Sequence, residues 1–410
     1  MAFSTDKFSV LPHSLLSTIV SLIPFKEAVR TSILSKSWVD IFKSTSNIEF
    51  DELSFVKGGQ TYRIRQVQRK TFLEFMELWI ANHTGSIVNK FSLRFSMPEK
   101  AKKVVRKCIA FAIKHKVKEL ELEFCDPNLD CYITTNYINH DAPFELPTNV
   151  YGHTCLESLK LFSCSFVETE FLNFHVLKEI SLGWMEVKLT TIKTLLSNCE
   201  ALESLILKRC WNSDDFDLRE ESLRLRKLIL DRCMFGSNSR YFIVNAPNLR
   251  YFYYSGLNDN FLVMDIHSPM MEEEVLDFCI EFEGHALFLY KLVEDISSGS
   301  TLTVCNYFLQ DCELPDNFNL KRFWTDHARA YNCMLYTLRE VEIKDFKGSM
   351  NEIRVITYFI TIGRVLRKMT IYISKDDVTN QEWSMDSYWR DMIEKLRSQR
   401  ASRDLEISIY

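Results

Sequence analysis

The chain has 410 residues, a formal net charge of −5 and a hydrophobic fraction of 46%. That apolar content is enough for a sizeable core, which excludes a globally disordered chain. The 11 glycines and 9 prolines are too few for a collagen-like stretch or a long flexible linker. The mildly acidic balance gives no general attraction to nucleic acid or anionic membrane. At roughly 100–200 residues per domain, the length allows two or three domains, or a small domain followed by repeats.

Neither the N-terminal segment nor the cysteines indicate a secreted protein. The apolar stretch from Leu15 to Phe25 contains Ser17, Ser21 and Pro24, is too short to span a bilayer and follows no basic leader. The 12 cysteines are sparse for this length and never form a CxxC pair. We therefore expect an intracellular protein, in the cytoplasm, the nucleus or both. Its cysteines are expected to be reduced and buried rather than bound to zinc or to each other.

The first 50 residues predict three short helices. Apolar side chains recur at helical spacing over residues 14–23, 26–34 and 36–44, and Pro24 ends the first of these stretches. Each helix is too short to be stable alone, so the three must pack together or on a partner. The apolar faces contain Leu15, Leu16, Ile19, Leu22, Ile23, Ala28, Val29, Ile33, Leu34, Trp38, Ile41 and Phe42.

The middle of the chain repeats the pattern L-x-x-L-x-L-x-x-C. Full copies begin at residues 156, 202 and 225 and end in Cys164, Cys210 and Cys233, and weaker copies begin at 177 and 249. The steps between successive copies are 21 to 25 residues. This period is typical of leucine-rich repeats, in which each repeat supplies one strand and a return segment. Because side chains alternate along a strand, the leucines of the x-L-x-L core should point inward and the intervening residues outward.

Weaker copies of the pattern lie on both sides of this region. Possible early copies begin at residues 88 and 117, and the pattern resumes at 338, 366 and 405, with helices expected near 350–365 and 387–399. Residues 126–155 and 258–335 hold no clean copy, which leaves long returns, insertions and degenerate repeats as three open interpretations. The sequence thus predicts an α/β repeat solenoid, horseshoe-like and irregular, preceded by a small three-helix domain.

A specific motif runs through the helical segment. It begins with Leu11-Pro12, continues through two apolar helices and the segment Ala28–Ser32, and ends with Ser35-Lys36 and Trp38. This pattern resembles the F-box, in the version found in large plant families of F-box proteins. One departure is Ser37, where that family often has arginine.

A second motif lies near the C-terminal end. Leu338–Ile343, Phe346–Gly348 and Leu366–Met369 resemble the FBD region that closes many plant F-box/LRR proteins. With the F-box assigned to residues 1–50, we expect the repeat solenoid over 80–335 and an FBD-like region over 336–410 that continues or caps it. The resemblance implies a Skp-type adaptor as partner and, through it, the cullin and RING subunits of an SCF ubiquitin ligase.

The F-box resemblance makes part of the helical segment a candidate adaptor-binding surface. Burying a leucine, isoleucine or valine side chain contributes roughly 1.5–3 kcal/mol, so four or five anchors can outweigh the cost of association. We expect Ile23, Ala28 and Ile33 to form the internal core of the helices, and Leu11, Pro12 and Leu16 to face the adaptor. The full predicted adaptor-binding set is Leu11, Pro12, Leu15, Leu16, Ile19, Val29, Leu34 and Trp38.

The outward strand positions form a candidate target-binding surface. Ile206, Ile229 and Tyr253 occupy the same central position in consecutive repeats and should stack into one apolar stripe, beside Tyr251. Two interpretations stay open: the stripe binds a target protein, or segments from residues 258–335 cover it. The other outward positions are polar: Glu119, Glu121, Glu123, Ser158, Lys160, Glu179, Ser181, Ser204 and Lys227.

No pattern of enzyme chemistry appears in the sequence. The GxxxxGK[ST], GxGxxG, HExxH and GxSxG motifs are all missing, and the histidines are scattered singly. We therefore expect a non-catalytic protein without cofactor or metal. The basic residues Lys100, Lys102, Lys103, Arg106 and Lys107 fit a solvated helix face, with a phosphate or inositol-polyphosphate pocket as the alternative.

The favoured function is that of an SCF substrate receptor whose F-box docks the adaptor and whose repeats hold a target protein. One alternative is a hormone-like receptor of the same architecture, in which a small ligand on the concave face helps to hold the target. Another is a repeat scaffold without ligase function, which the nearly complete F-box pattern disfavours. Nothing in the sequence favours nucleic acid or membrane as a partner.

Overall fold

A computed structural model of the protein describes residues 11–125, 144–165, 174–212, 215–219, 224–235, 241–256, 263–278, 299–305, 333–348, 350–374, 395–396 and 398–410. The chain divides into a first unit, residues 1–185 with 194–202, and a second unit, residues 186–193 with 203–410. Both units are built on parallel strands joined by long return segments. This arrangement confirms the predicted α/β repeat fold.

Three short helices open the first unit. They are α1 (His13–Leu22), α2 (Phe25–Thr31) and α3 (Lys36–Lys43). Pro12 and Pro24 stand directly before α1 and α2, where the fixed φ of proline suits a helix start and the missing N–H removes no helical hydrogen bond. The core between these helices contains Leu16, Val20, Phe25, Ala28, Ile41 and Phe42.

This helical core packs on the helix of the first repeat. That helix, α4, spans Tyr62–Asn82, and its Trp79 ring lies 5.5 Å from Phe25 and 5.9 Å from Phe42. Phe50 of the first strand also meets Phe25 edge to face at 5.6 Å. Aromatic pairs at these distances add to the apolar burial. The three N-terminal helices therefore share a core with the first repeat and do not form a separate domain.

The first unit contains one main parallel sheet. Its strand order is β1-β2-β3-β5-β7, β4 pairs with β6, and α5 (Lys102–Lys114) returns the chain between β2 and β3. The sheet starts at residue 47, well before the first repeat that the leucine pattern predicts at residue 88. The strands are β1 Asn47–Asp51, β2 Lys90–Arg94, β3 Glu119–Glu123, β4 Phe144–Glu145, β5 Ser158–Phe162, β6 Cys164–Ser165 and β7 Glu179–Gly183.

The second unit continues the same design with eight parallel strands in the order β8-β11-β14-β16-β17-β18-β19-β20. A three-stranded sheet, β10-β13-β15, and the pair β9-β12 lie on its return segments. The strands are β8 Ser204–Lys208, β9 Trp211–Asn212, β10 Phe216–Arg219, β11 Lys227–Asp231, β12 Met234–Phe235, β13 Tyr241–Asn245, β14 Tyr251–Gly256, β15 Val263–His267, β16 Glu273–Phe278, β17 Thr301–Cys305, β18 Glu340–Phe346, β19 Lys368–Ile373 and β20 Glu406–Ile409.

Two further α-helices lie in the described ranges, α6 (Leu189–Asn198) and α7 (Met350–Ile362). The helix predicted near 350–365 is thus confirmed, whereas the one predicted near 387–399 falls largely outside the described residues. Strands β15, β16 and β17 lie within 258–335, where the sequence left the interpretation open. There the repeat continues in degenerate form, and Glu274 takes an inward position that leucine fills elsewhere, although it is 2% exposed.

Inward side chains stack in register from strand to strand. Leu228 on β11 is the cross-strand neighbour of Leu205 on β8 and of Phe252 on β14, and all three side chains are fully buried. In the second unit this row meets the aromatic rings of the return strands, with Phe242 lying 6.2 Å from Phe252 and stacked at 4.9 Å on Phe216. The alternation that the leucine pattern predicts therefore decides which residues form the core.

Each of several strands ends in the same turn. Ser163, Arg209 and Arg232 adopt left-handed backbone with φ of 55°, 50° and 51°. Their N–H groups donate to carbonyls of the next strand at 2.9, 2.7 and 2.6 Å, which offsets the steric cost of that conformation. The next residue in each case is a repeat cysteine: Cys164, Cys210 and Cys233.

These cysteines are buried, as predicted, and they also donate hydrogen bonds. The thiol of Cys233 donates to the carbonyl of Leu207 at 3.4 Å, in the neighbouring repeat. The thiols of Cys164 and Cys210 approach the carbonyls of Phe162 and Lys208 at 3.6 and 3.7 Å. Burial raises the pKa of the Cys164 thiol, so it stays protonated and can act as a weak donor.

Candidate partner-binding surfaces

The first candidate surface lies on the F-box helices. Several of its large apolar side chains are exposed in the described structure: Leu15 is 50% exposed and Leu34 is 68% exposed. Ile19 is at 36%, Pro12 is also exposed, and Leu11, Val29 and Trp38 are half-buried. Exposed apolar side chains close together on a small helical unit usually mark a binding site. We call seven of the predicted adaptor-binding residues the adaptor surface: Leu11, Pro12, Leu15, Ile19, Val29, Leu34 and Trp38.

The structure places one predicted adaptor residue in the core. Leu16 is only 6% exposed, because it lies on the face of α1 that meets α3, so the prediction that it faces a partner is wrong for this residue. Conversely, Ile33, which was expected in the core, is 84% exposed in the turn after α2. Ala28 is buried as expected, and Ile23 is half-buried.

Sequence reasoning also missed one exposed residue of this surface. Leu22, the last residue of α1, is 78% exposed, more than Leu34 at 68% or Leu15 at 50%. Pro24 is the sequence signal for this exposure. A proline two residues after Leu22 ends the helix, so no further helical turn covers the Leu22 side chain.

The second candidate surface is the outward face of the second unit's sheet. Ile229 is the direct cross-strand neighbour of both Ile206 and Tyr253, and Tyr253 is in turn the neighbour of Val275. The predicted stripe is therefore a row of adjacent side chains. Ile206, Ile229 and Tyr253 are each half-buried rather than fully buried, while Val275 is 8% exposed. Most of the segment 258–335, which was considered as a cover, lies outside the described residues.

Polar groups hold the tyrosines of this row in place. The Tyr253 hydroxyl donates to Asp277 at 3.3 Å, and the Lys227 ammonium lies 5.4 Å from the centre of the Tyr251 ring. Partial burial, with the charge of Asp277 second, raises the pKa of Tyr253. Burial together with Glu273 likewise raises the pKa of Tyr251. Both hydroxyls therefore stay protonated at neutral pH and can donate hydrogen bonds. We call Ile206, Ile229, Tyr251 and Tyr253 the apolar row.

The outward face of the first unit differs in kind. Arg94 on β2 forms an ion pair with Glu123 on β3 at 2.7 Å and approaches Asp51 on β1 at 3.8 Å. Lys90 approaches Glu121 at 3.8 Å. The central register position, which holds the isoleucines in the second unit, is taken here by Glu49, Ser92, Glu121, Lys160 and Ser181.

The basic residues of the sequence lie on α5 and the turn before it, as predicted for a helix face. Lys102, Lys103, Arg106 and Lys107, with Ala110, line an open groove of about 580 Å³. Lys102 pairs with Glu99 at 3.3 Å and Lys107 with Glu77 of α4 at 2.6 Å.

The described residues do not form a metal centre or a membrane span. No three His, Cys, Asp or Glu side chains in the described part of the chain come together in a way that could bind a metal ion. Within the same ranges, every helix is too short or too polar to cross a bilayer.

Three family models match the chain in succession. The F-box domain matches residues 8–49, the family described as At1g61320/AtMIF1, LRR domain, matches residues 79–282, and the FBD family matches residues 330–371. Together with the parallel repeat strands, these matches define a protein of the F-box and leucine-rich-repeat class.

Individual relatives support the same assignment. The chain is 31% identical over 375 residues to an Arabidopsis thaliana protein named among the F-box/LRR-repeat proteins, At1g56400, covering 87% of this chain and 74% of the relative. It is 28% identical over 442 residues to the Arabidopsis F-box protein At3g62230, covering 92% and 93% of the two chains. The Arabidopsis F-box/FBD/LRR-repeat protein At5g22660 is 26% identical over 364 residues, covering 81% and 73%. The chain belongs to the plant F-box/LRR-repeat protein family and carries an FBD region.

Proposed function

We propose that this protein is the substrate-recognition subunit of an SCF-type E3 ubiquitin ligase. In this proposal the F-box docks a Skp-type adaptor, which links the chain to the cullin and RING subunits, and the repeats bind a target protein for ubiquitination. The protein itself carries out no chemistry and works inside the cell, in the cytoplasm, the nucleus or both. The observation that carries the proposal is an exposed apolar surface on a domain that matches the F-box family.

The energetics of the adaptor surface fit a stable complex. Each fully buried leucine or isoleucine contributes roughly 1.5–3 kcal/mol, so four such anchors supply on the order of 6–12 kcal/mol. That is comparable to the estimated 4–15 kcal/mol cost of association. Leu15, Ile19 and Leu34 are exposed in the described structure and supply such anchors, and Leu22 and Ile33 add to the same set.

The packing of the F-box explains how docking would orient the first repeats. Phe25 and Phe42 lie against Trp79 of α4, so the adaptor surface is joined to the first repeat through a shared core rather than a flexible linker. A receptor needs this rigidity, because the ligase must present the target at a defined place. Within the first unit, docking on the F-box therefore fixes the direction of strands β1 to β3.

The apolar row of the second unit is the proposed target-binding surface. Its side chains combine aliphatic area with tyrosine hydroxyls that are held as donors, a composition that is enriched at protein interfaces. Lys227 and Asp277 flank the row and would add charge-based selectivity at its margins. We propose a folded or extended protein segment as the occupant, with a small hormone-like ligand as the competing outcome.

The adaptor proposal is tested with exposure-matched variants. Leu15→Ser combined with Leu34→Ser removes two anchors that are 50% and 68% exposed. The control is Leu53→Ser with Val67→Ser, which are 47% and 65% exposed in the same unit but outside the F-box helices. We expect the first pair to weaken binding of a purified Skp-type adaptor about a hundredfold or more, as measured by calorimetry, because roughly 1.5 kcal/mol or more is lost at each site.

Two results would contradict the adaptor proposal. One is equal adaptor binding by both variant pairs, and the other is a wild-type chain that does not bind the adaptor at all. The second result would leave the chain as a repeat scaffold without ligase function. Leu16→Ala is not a suitable test, because that side chain is buried and its loss would destabilise the helices.

The target surface is tested separately. Ile206→Lys with Ile229→Glu gives the second unit the outward chemistry of the first, and Glu121→Gln with Lys160→Gln is the control on the first unit's face. Proteins that co-purify with the adaptor-bound chain are quantified by mass spectrometry. We expect the isoleucine variants to lose those proteins and the control to keep them. Retention by both variants would place the target site elsewhere, and thermal stabilisation of the wild type by a small metabolite would favour the ligand-receptor alternative.

A further inference from the structure

The strongest charged feature outside the proposed surfaces lies on α5 of the first unit. One face of this helix is buried through Val105, Cys108, Ile109 and Ala112. The opposite face exposes Lys103, Lys107, Ala110 and Lys114, which follow one another at steps of three or four residues and so share one side of the helix. Lys100, just before α5, extends the same line. We call Lys100, Lys103, Lys107 and Lys114, with Lys102 and Arg106 beside them, the basic stripe.

The local charge of this segment departs sharply from that of the chain. Residues 100–118 contain eight lysines and arginines and no aspartate or glutamate, whereas the whole chain has a net charge of −5. Apolar burial of α5 does not require so many cations, since neutral polar residues would serve equally on an exposed helix face. Their mutual repulsion at helical spacing costs stability rather than adding to it.

Only part of this charge is neutralised within the protein. Lys102 pairs with Glu99, Lys107 with Glu77, and Lys118 with Glu157 at 3.0 Å. Lys103 and Arg106 are exposed, and within the described ranges neither forms an ion pair. Both line the groove of about 580 Å³, in which Ala110 leaves space between the long cationic side chains.

We propose that the basic stripe docks an acidic segment of a partner protein, independently of the adaptor surface and the apolar row. From Lys100 to Lys114 the stripe is about 21 Å long at 1.5 Å per residue. An extended acidic segment of about six residues spans that length. The carboxylates of such a segment can pair with Lys103 and Arg106 in the groove, with Arg106 able to bind a carboxylate through two N–H groups.

The surroundings favour a polypeptide over the other polyanions. The exposed face of α5 carries cations and the small side chain of Ala110, so it offers no large exposed apolar side chain to insert into a lipid layer. The half-buried ring of Phe111 packs on His115 at 4.2 Å and therefore offers no free face for a nucleic-acid base. A duplex or a membrane also extends beyond the stripe, where the rest of an acidic chain repels it. Screening over about 8 Å confines the attraction to a ligand of local size.

The test uses the full chain and a fluorescein-labelled hexaglutamate peptide, followed by fluorescence anisotropy at low and physiological salt. We expect binding that weakens with salt and that falls roughly tenfold in Lys103→Gln with Arg106→Gln, given the known strength of exposed ion pairs. The matched control is Arg339→Gln with Arg367→Gln, two exposed arginines of the second unit, which should leave the affinity unchanged. A labelled hexaglutamine peptide should not bind.

Three outcomes would overturn the proposal. The first is no hexaglutamate binding at low salt, and the second is an equal loss of affinity in the control variant. The third is tighter, variant-sensitive binding of a single-stranded oligonucleotide, of vesicles containing phosphatidylserine, or of inositol hexakisphosphate, any of which would assign the stripe to a phosphate ligand. The substituted side chains are exposed, so circular dichroism should show an unchanged fold in all variants.

Discussion

The outward faces of the two sheets present opposite chemistry on the same backbone. In the first unit the central outward positions are taken by Ser92, Glu121 and Lys160, and Arg94 forms an ion pair with Glu123 beside them. In the second unit Ile206, Ile229 and Tyr253 take those central positions. Both faces come from parallel strands whose inward residues are fully buried. The contrast teaches that the buried inward positions determine the backbone arrangement of the repeat. The outward positions are not needed for that arrangement and can vary to specify a partner.

The core of the first unit contains a buried ion pair in addition to its aromatic rings. Glu52, which follows β1, pairs with Arg69 of α4 at 2.6 Å, and its second carboxylate oxygen accepts the Ser96 N–H at 2.6 Å. Both charged side chains are largely buried. In the second unit, stacked rings such as Phe216 and Phe242 fill the space between main and return strands. Removing one partner of a buried ion pair leaves an unpaired charge, whereas truncating a stacked ring removes apolar contact and the ring-ring interaction.

The largest expected effect is on the buried ion pair. Glu52→Ala leaves the Arg69 guanidinium without its carboxylate in a buried site, and we expect a loss of about 3–5 kcal/mol in unfolding free energy. Urea denaturation followed by circular dichroism measures it. The control is Glu49→Ala on β1, an exposed carboxylate whose removal should change stability by less than about 0.5 kcal/mol. Similar small losses for both would show that the Glu52–Arg69 pair does not stabilise the first unit.

A second prediction concerns pH and the first unit. Burial, with the neighbouring His115 second, lowers the pKa of His83 from 6.5 to about 4. Below pH 6.5 the unfolded chain therefore binds a proton at this residue that the folded chain does not bind. The associated stability is complete above pH 6.5 and is lost as the pH falls toward 4. Because the ring is only half-buried, we expect a discounted loss of about 1–2 kcal/mol.

The measurement compares urea midpoints at pH 7 and pH 5. His83→Phe, which keeps the ring contact with Trp79 at 4.8 Å, should reduce the dependence on pH, while His175→Gln at an exposed site should not. An unchanged pH dependence in His83→Phe would assign the effect to other groups.

A third prediction addresses the apolar row directly. Ile206→Lys with Ile229→Glu places opposite charges on neighbouring strands, as Glu121 and Lys160 are placed in the first unit. We expect a stability change of at most about 1 kcal/mol, because the replaced side chains are half-exposed and the new charges face each other. Thermal unfolding provides the measurement, and Leu205→Lys serves as the inward control that should unfold the unit. A large loss in the outward pair would mean that the row belongs to the core.

The smallest expected effect is on the surface ion pair of the first unit. A double-mutant cycle with Arg94→Ala and Glu123→Ala should give a coupling of about 0.2–1 kcal/mol, because both side chains are partly exposed and screened by solvent. The coupling should shrink in 1 M salt. A coupling above about 2 kcal/mol would show that the charged face stabilises the fold rather than serving only as surface.

Much of the architecture could be predicted because its signals are local and periodic. The leucine pattern at residues 156, 202 and 225 places strands β5, β8 and β11 correctly, since inward and outward residues alternate wherever a strand has one buried face. The motif from Leu11 to Trp38 likewise predicts the helical start. The sequence predicted the candidate surfaces less completely. Helical spacing places Leu15 and Leu16 on one apolar stripe, but only the packing of α1 on α3 shows that Leu16 is buried and Leu15 is exposed.

By itself the sequence determined the family, the repeat period and the alternation of inward and outward residues, because each of these depends on neighbours along the chain. The tertiary structure alone decided the early strand at residues 47–51, the strands between 263 and 305, and the exposure of Leu22 and Ile33. In those strands the leucine pattern is weak or degenerate. They form because an adjacent strand supplies the backbone hydrogen bonds, not because their own residues strongly favour a strand. Burial is a property of what packs opposite a residue, and that partner is distant in sequence.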